Sequence, residues 1–388
     1  NNMYGFLLGR EFKISVAEIL SVFPNIETIY QDKQIFLADW VSQSEITENA
    51  NKLGGTIKII KLSSTTSSVE DLIYDNAPEE GNKYHYALST FGDKTPLKEV
   101  LMRVKKKLRA DSISSRFTNK EFKNLSSAQI IGENLVKRWT DYNYVITDKA
   151  HYFGATIWVQ DIYGYSKRDY AKDRDMQVGM LPPKLSQMMI NISGWKTVYD
   201  PFVGLGTILI ESLHMWNEAV FGSDLSEAMV ETSTNNCKDM ALKMDKNAKV
   251  IIEKLNAKYI YESDFFNQAK IDAIVSEGYL GEVMTKKNIS RERIEKQRES
   301  LIKIHEAFFA GLKKIKYSGT IVISFPFWEH KGIYSYFNEV YKVLEENCEI
   351  LPFFPANYEL EATKAGSLLY KRSSQLVWRE IFKLKIKK

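Results

Sequence analysis

Cysteine is nearly absent. Cys237 and Cys348 are the only two among 388 residues, far apart and without metal-ligand spacing. That argues against a disulfide scaffold and against a zinc site, so no metal is expected and a reducing cytoplasm is the default setting. No apolar run is long enough to cross a bilayer, and no signal peptide is read, so no membrane association is expected. No segment repeats at solenoid spacing. Charge of one sign is also weak: the net value is +4, compatible with a nucleic-acid partner but not diagnostic of one. The length predicts two or three domains, and a hydrophobic fraction of 44% suffices for ordinary cores.

What is present is a glycine-rich turn, Asp200-Pro-Phe-Val-Gly-Leu-Gly-Thr207. Residues 195–199 before it read as a short buried strand, and 208–213 after it as a helix. Such a turn lets a ligand touch bare backbone. No Lys-Ser or Lys-Thr follows the glycines, which argues against a phosphate loop, and a dinucleotide fingerprint lacks its third glycine. The acid at the head of the turn suits a cationic or hydrogen-bond-donating ligand, and S-adenosylmethionine fits, having an ammonium group and no phosphate. About twenty residues on, Val220 to Asp224 reads as a second strand ending in an acid placed for ribose hydroxyls. In Tyr259 to Phe266 a third acid precedes aromatics: Asp264 would take an adenine amino group and Phe265 would lie against the ring. A generic nucleotide-binding sheet is the alternative, and the three acids in order weigh against it.

The run from Asp200 to Glu211 resembles the first motif of the THUMP-domain RNA methyltransferases, most of all those that methylate the 2-amino group of guanosine 10 in tRNA. Residues 179–191 are similar to the family's segment before its first strand, which caps the methionine end of the cofactor. Tyr165-Ser-Lys-Arg-Asp-Tyr170 resembles its linker. The resemblance runs along nearly the whole chain, specific in the linker and first motif and loose in the N-terminal third. It implies an α/β fold: a Rossmann-like methyltransferase domain, with a mostly parallel seven-stranded sheet and a C-terminal antiparallel hairpin over 367–384, preceded by an α+β ferredoxin-like plus THUMP N-terminal half. The expected domains are 1–68, 69–163 and 164–388. The cofactor-binding residues expected are Met180, Leu181, Pro182, Asp200, Phe202, Gly204, Gly206, Thr207, Asp224, Leu225, Ser263, Asp264 and Phe265.

The first third alternates strand and helix signals: strands at 3–8, 26–30, 34–38 and 56–62, helices at 13–23 and 45–53. This β-α-β-β-α-β order suits a ferredoxin-like unit. The Ser/Thr-rich run 63–68 reads as a surface connection. Strands follow at 84–89, 114–118, 144–147 and 156–162, with helices at 97–108 and 126–139. The helix over 97–108 has a strongly basic face. By the resemblance this module is a THUMP domain, which in the family holds the 3′ end of tRNA. Lys105, Lys106, Arg109 and Arg116 are the candidate phosphate contacts, with an ordinary solvated face as the alternative.

Amino-methyltransferases commonly carry Asp/Asn/Ser-Pro-Pro-Tyr/Phe after the fourth strand. Here Asp272 to Val275 is that strand, and Ser276-Glu-Gly-Tyr279 follows with both prolines missing. Tyr279 offers a stacking ring, and Ser276 or Glu277 a hydrogen-bond acceptor for the amine. Sequence leaves the choice open, and a degenerate site is the alternative. Residues 324–330 are expected to leave the sheet after the strand 320–323, at its carboxyl edge, where Phe327 or Trp328 would sandwich a flipped base. His330 reads as a surface group. A charged helix is expected over 286–303, its acids and bases in i, i+3 and i, i+4 pairs. The reading is a tRNA guanine-N2 methyltransferase using S-adenosylmethionine. Its rivals are methylation of ribosomal RNA guanine or DNA adenine, or an RNA-binding protein of weak activity that retains the cofactor site. Some relatives require a small activating partner protein.

Overall fold

The computed structural model describes residues 3–79, 83–92, 95–170, 181–194, 197–215, 217–373 and 375–388. The chain separates into two compact units. One runs to residue 164 except 17–22 and 52–54, and the other takes those two pieces and everything from 165 on.

The first unit is built on one mixed sheet. Its strands are β1 (Met3–Leu8), β2 (Glu27–Gln31), β3 (Ile35–Asp39), β4 (Thr56–Thr65), β5 (Tyr84–Phe91), β6 (Ser115–Phe117), β7 (Thr140–Ile146) and β8 (His151–Val159). They lie in the order β2-β3-β1-β4-β8-β7-β5-β6, so strands from both sides of position 68 share the sheet. The helices are α1 (Phe12–Val22), whose residues from 17 on fall in the other unit, α2 (Gln43–Asn49), α3 (Val69–Asp75), α4 (Leu97–Ala110) and α5 (Ser127–Gly132). In α4, Leu97, Val100, Leu101, Val104 and Leu108 recur at helical spacing and are buried, which turns the lysines outward. Two expectations change. Ser63, Ser64 and Thr65 are not a connection: they extend β4 and pair with Phe153, Tyr152 and His151. The helix expected over 126–139 closes at Gly132, because Asn134 takes φ 55°, in the left-handed region that ends helices.

From Ile162 on, the elements are α6 (Ile162–Tyr170), α7 (Pro183–Ser193), β9 (Val198–Asp200), α8 (Thr207–His214), β10 (Ala219–Asp224), α9 (Glu227–Lys243) and β11 (Lys249–Lys254). Next come α10 (Asp264–Gln268), β12 (Ala273–Ser276), α11 (Arg291–Lys314), β13 (Thr320–His330), β14 (Ile333–Ser335) and α12 (Asn338–Asn347). The chain ends with β15 (Cys348–Ile350), β16 (Leu368–Tyr370) and β17 (Val377–Ile386). The main path of the sheet is β11-β10-β9-β12-β13-β17-β15, with β14 added on β13 and β16 on β17. The first five strands of that path are parallel, and β17 enters antiparallel. Helices alternate with the parallel strands, so one side of the sheet is covered by a core that includes Ile274, Leu301, Phe308, Ile321, Phe325 and Phe382.

Two further expectations move. The charged helix starts at Arg291 rather than Lys286, because the Ser290 side chain accepts from the Arg293 amide and caps it there. β13 does not stop at Ile323. It continues to His330, because β17 pairs with it as far as Trp328.

Candidate functional site

Asp200 ends β9, and the glycine turn carries the chain from it into α8. Gly204 and Gly206 take φ 50° and 86°, conformations that side-chain-bearing residues rarely adopt. The turn is fastened to the neighbouring strand: the Val203 amide donates to the Ser223 carbonyl at 3.0 Å, and the Gly204 amide to Asp224 Oδ2 at 3.0 Å. Asn236 on α9 donates to the Leu205 carbonyl at 3.0 Å. A Cβ at Gly204 would meet nothing nearer than the Phe202 carbonyl oxygen at 4.0 Å, so the backbone there is bare.

Asp200 and the 276–279 loop form one unit. Ser276 Oγ donates to Asp200 Oδ1 at 2.6 Å and accepts from the Gly278 amide at 3.0 Å. The Phe202 amide also donates to Asp200 Oδ1, at 3.0 Å, and Oδ2 has no partner among the described residues. Burial pushes the Asp200 carboxyl up to about 7, against the opposing pull of the Ser276 and Phe202 donors. Glu277 is held differently. Arg379 Nε on β17 donates to Glu277 Oε1 at 2.5 Å, Arg379 Nη1 donates to Gln375 Oε1 at 3.1 Å, and Ser324 Oγ donates to the Glu277 carbonyl at 2.7 Å. Burial raises the Glu277 pKa and Arg379 opposes it. Gly278 has φ 72°, and Tyr279 projects with 44% of its surface exposed.

On the other side of the turn, Asp224 ends β10 and accepts from the Ser226 amide at 2.9 Å as well as from Gly204, with Leu225 exposed beside it. Ser263 caps α10 and donates to Glu253 Oε1, while Tyr199 donates to the same oxygen at 3.2 Å. Asp264 is exposed in the first turn of α10, Phe265 is half-buried, and Phe266 is the ring that enters the core. Thr207 is the buried first residue of α8. Leu181 is buried and Pro182 half-buried at the start of α7, whereas Met180 lies outside the described residues.

The linker and the first motif stand apart in the sequence, and the fold joins them. Arg168 Nε donates to Glu211 Oε1 at 3.0 Å, Gln187 Nε2 donates to Glu211 Oε2 at 3.0 Å, and Tyr165 donates to Gln187. Three residues escaped sequence reasoning. Arg379 and Glu253 had no local signal. His305 had one: it stands four residues after Leu301 on the apolar stripe of α11. Its ring is wholly buried among Phe202, Phe325 and Phe337, neither nitrogen has a partner among the described residues, and burial lowers its pKa to about 3.

In the first unit, Lys105, Lys106, Arg109 and Arg116 are all exposed. Arg116 lies 3.5 Å from Glu133, and Lys105 lies 5.6 Å over the Phe117 ring. Arg103 and Lys107 on the same helix are matched by Glu70 and Asp71 of α3. Phe327 and Trp328 are in mid-strand and wholly buried, packed against Tyr336 and Phe337, so as placed their rings present no face to a base. Among the described residues no cluster of His, Cys, Asp and Glu could hold a metal, and no helix is long and apolar enough to cross a membrane.

Residues 171–329 match the family model described as RMKL-like, methyltransferase domain. The crystal structure of TrmN from Thermus thermophilus is similar over 100% of both chains, with TM-score 0.51 and 14% identity. An RNA methyltransferase from Salinibacter ruber, in complex with S-adenosyl-L-homocysteine, aligns over 38% of this chain and 78% of its own, with TM-score 0.26 and 13% identity. A ribosomal protein L11 methylase from Lactobacillus delbrueckii aligns over 56% of this chain and 84% of its own, with TM-score 0.32 and 16% identity. No curated protein matches the chain. The fold is α/β, with the Rossmann-like sheet of methyltransferases in the second unit.

Proposed function

We propose that the chain is an S-adenosylmethionine-dependent tRNA methyltransferase that modifies the exocyclic 2-amino group of a guanosine, position 10 by the resemblance. The observation that carries this reading is the shared fastening of the glycine turn and the 276–279 loop on Asp200. A methyl donor and a methyl acceptor must meet, and here the two segments that would hold them share one carboxylate. The residues fit the cofactor: Asp200 Oδ2 has no partner among the described residues, and the backbone at Gly204 is unobstructed. Asp200 and Gly204 would hold the methionine end, Asp224 the ribose, and Asp264 with Phe265 the adenine. When bound, the cofactor supplies an electrophilic methyl group on sulfur.

The guanine amine has its lone pair delocalised into the ring, so an acceptor must draw its N–H groups out of plane. We assign that acceptor to Glu277, whose Oε1 is fixed by Arg379 and whose Oε2 has no partner among the described residues. Ser276 already donates to Asp200 and accepts from Gly278, so its part is to position the loop. Tyr279 would stack on the flipped base. In this reading residues 1–68 form a ferredoxin-like domain and 69–163 a THUMP domain, whose Lys106 and Arg109 have no acidic partner among the described residues and would meet phosphate. A small activating partner protein belongs to the same expectation.

Nucleoside mass spectrometry of tRNA incubated with protein and labelled cofactor tests the base and the multiplicity together. Glu277→Gln should lower kcat more than Ser276→Ala. Wild-type rates in both variants would refute the assignment of the loop.

A further inference from the structure

β13 and β17 run past the carboxyl edge of the sheet. Ser276, the last residue of β12, pairs with Ile323, and β13 then continues for Ser324 to His330. The continuation pairs with the start of β17, Phe327 with Trp378 and Trp328 with Val377, and with β14 through a turn at Lys331 and Gly332. At ~3.3 Å per residue, Phe327 stands ~13 Å beyond the end of β12. The extension is tied to the 276–279 loop, since Arg379 pairs with Glu277.

This ledge carries a combination that folding alone does not explain. Tyr334 is 45% exposed and Ile333 73% exposed, on a short edge strand. The Tyr334 ring lies 5.2 Å from that of Trp378, and Lys371 Nζ sits 4.8 Å from the first ring centre and 5.4 Å from the second. The loop bearing Lys371 and Arg372 is pinned there, because the Trp378 indole N–H donates to the Arg372 carbonyl at 3.0 Å and to the Gln375 carbonyl at 2.8 Å. Lys331 and Arg372 are exposed. Glu329, the residue opposite Tyr334 on β13, accepts from the Gly332 amide and so serves the turn. An exposed ring with the Lys371 ammonium against it, and Arg372 next in a loop whose backbone is held, suits a base stacked above a neighbouring phosphate.

We infer that Tyr334, with Lys371 and Arg372, is a stacking and phosphate-contact platform for an unpaired nucleotide flanking the methylated base. The inference rests on the reading of the chain as an RNA methyltransferase and adds a surface to it. A protein partner would favour an apolar anchor without the adjacent Lys371 and Arg372, and it is the competing outcome of the test.

The test is fluorescence anisotropy of a labelled single-stranded oligouridine dodecamer with the full chain, in parallel with calorimetry of S-adenosylmethionine. Tyr334→Ala should weaken RNA binding about tenfold. Tyr334→Phe should bind as the wild type does, since stacking survives. Lys371→Gln with Arg372→Gln should weaken binding and flatten its salt dependence. Cofactor affinity should be unchanged in all three. Equal RNA affinity for wild type and Tyr334→Ala overturns the inference, as does a wild type that does not bind the oligonucleotide. A wild type that binds RNA but no cofactor sinks the methyltransferase reading instead, and the Tyr334 series still decides the platform.

Discussion

The turn at 200–206 and the loop at 276–279 meet at one carboxylate, but they are held by different means. The turn is set by its own backbone: two glycines at positive φ, and amides that donate to residues of the next strand. The loop is set by side chains brought from far away, Asp200 beneath Ser276 and Arg379 beside Glu277. Local backbone preference leaves a mark in a short sequence window. A pairing across a hundred residues leaves none. The loop lacks both prolines, and Arg379, Ser324 and Asp200 supply the stiffness that prolines would have given.

Breaking the long-range anchor should have the largest effect. Arg379 is almost wholly buried and paired with Glu277, so Arg379→Ala leaves a carboxylate without its partner in a poorly solvated place. That should cost about 3–5 kcal/mol of stability in chemical denaturation. Adding Glu277→Ala should recover much of the loss, because the orphaned charge goes with it. Additive losses would show that Arg379 stabilises the sheet independently of the loop.

Cutting the shared carboxylate comes next. Asp200→Asn keeps an oxygen for the Ser276 and Phe202 donors but removes the charge. Cofactor affinity should fall about 10- to 100-fold by calorimetry, the range expected when a charged hydrogen bond is lost. In the wild type, affinity should tighten as pH rises through about 7, because burial holds the Asp200 carboxyl protonated below that point. A pH-independent affinity would place the ligand's cation elsewhere.

These two variants also mark what the sequence conveyed. The short parallel strands and the amphipathic α4 were legible because each element rests on residues within a few positions of one another. The extent of β13 was not. Ser324-Phe-Pro-Phe-Trp328 reads as the segment after the strand 320–323, yet β17 pairs with it from the last part of the sequence. That pairing buried Phe327 and Trp328 and left Tyr334 as the exposed ring. Likewise Arg168 and Glu211 were each visible as motif letters, but their buried contact at 3.0 Å was not.

The local device should yield a smaller loss. Gly206→Ala places a side chain at φ 86°, where its Cβ would also lie 3.2 Å from Ser233 Cβ. About 1–2 kcal/mol of destabilisation is expected for the conformation, with cofactor affinity reduced in step. A neutral Gly206→Ala would mean that the turn, like the loop, is held chiefly by its partners.

His305 separates the two regions most finely, because it touches Phe202 of the turn and packs under the loop near Gly278. At pH 7.5 His305→Phe should change stability by no more than about 1 kcal/mol, since it removes two unpartnered nitrogens and keeps a ring. The pH dependence is more telling. His305 is lowered to about 3 in the fold, so its neutral form favours the folded state above the unfolded value near 6.5, and that contribution is lost as pH falls toward 3. Asp200 is raised to about 7, so its contribution is full below the unfolded value near 3.9 and is lost as pH rises through 7. Between about pH 4 and 6.5 the two slopes oppose each other. Removing one should expose the other: Asp200→Asn should melt lower as the medium is acidified across that window, and His305→Phe should melt lower as it is made more basic. Parallel melting curves for wild type and both variants would show that neither group is desolvated in the folded protein, and that the contact between turn and loop is open to water.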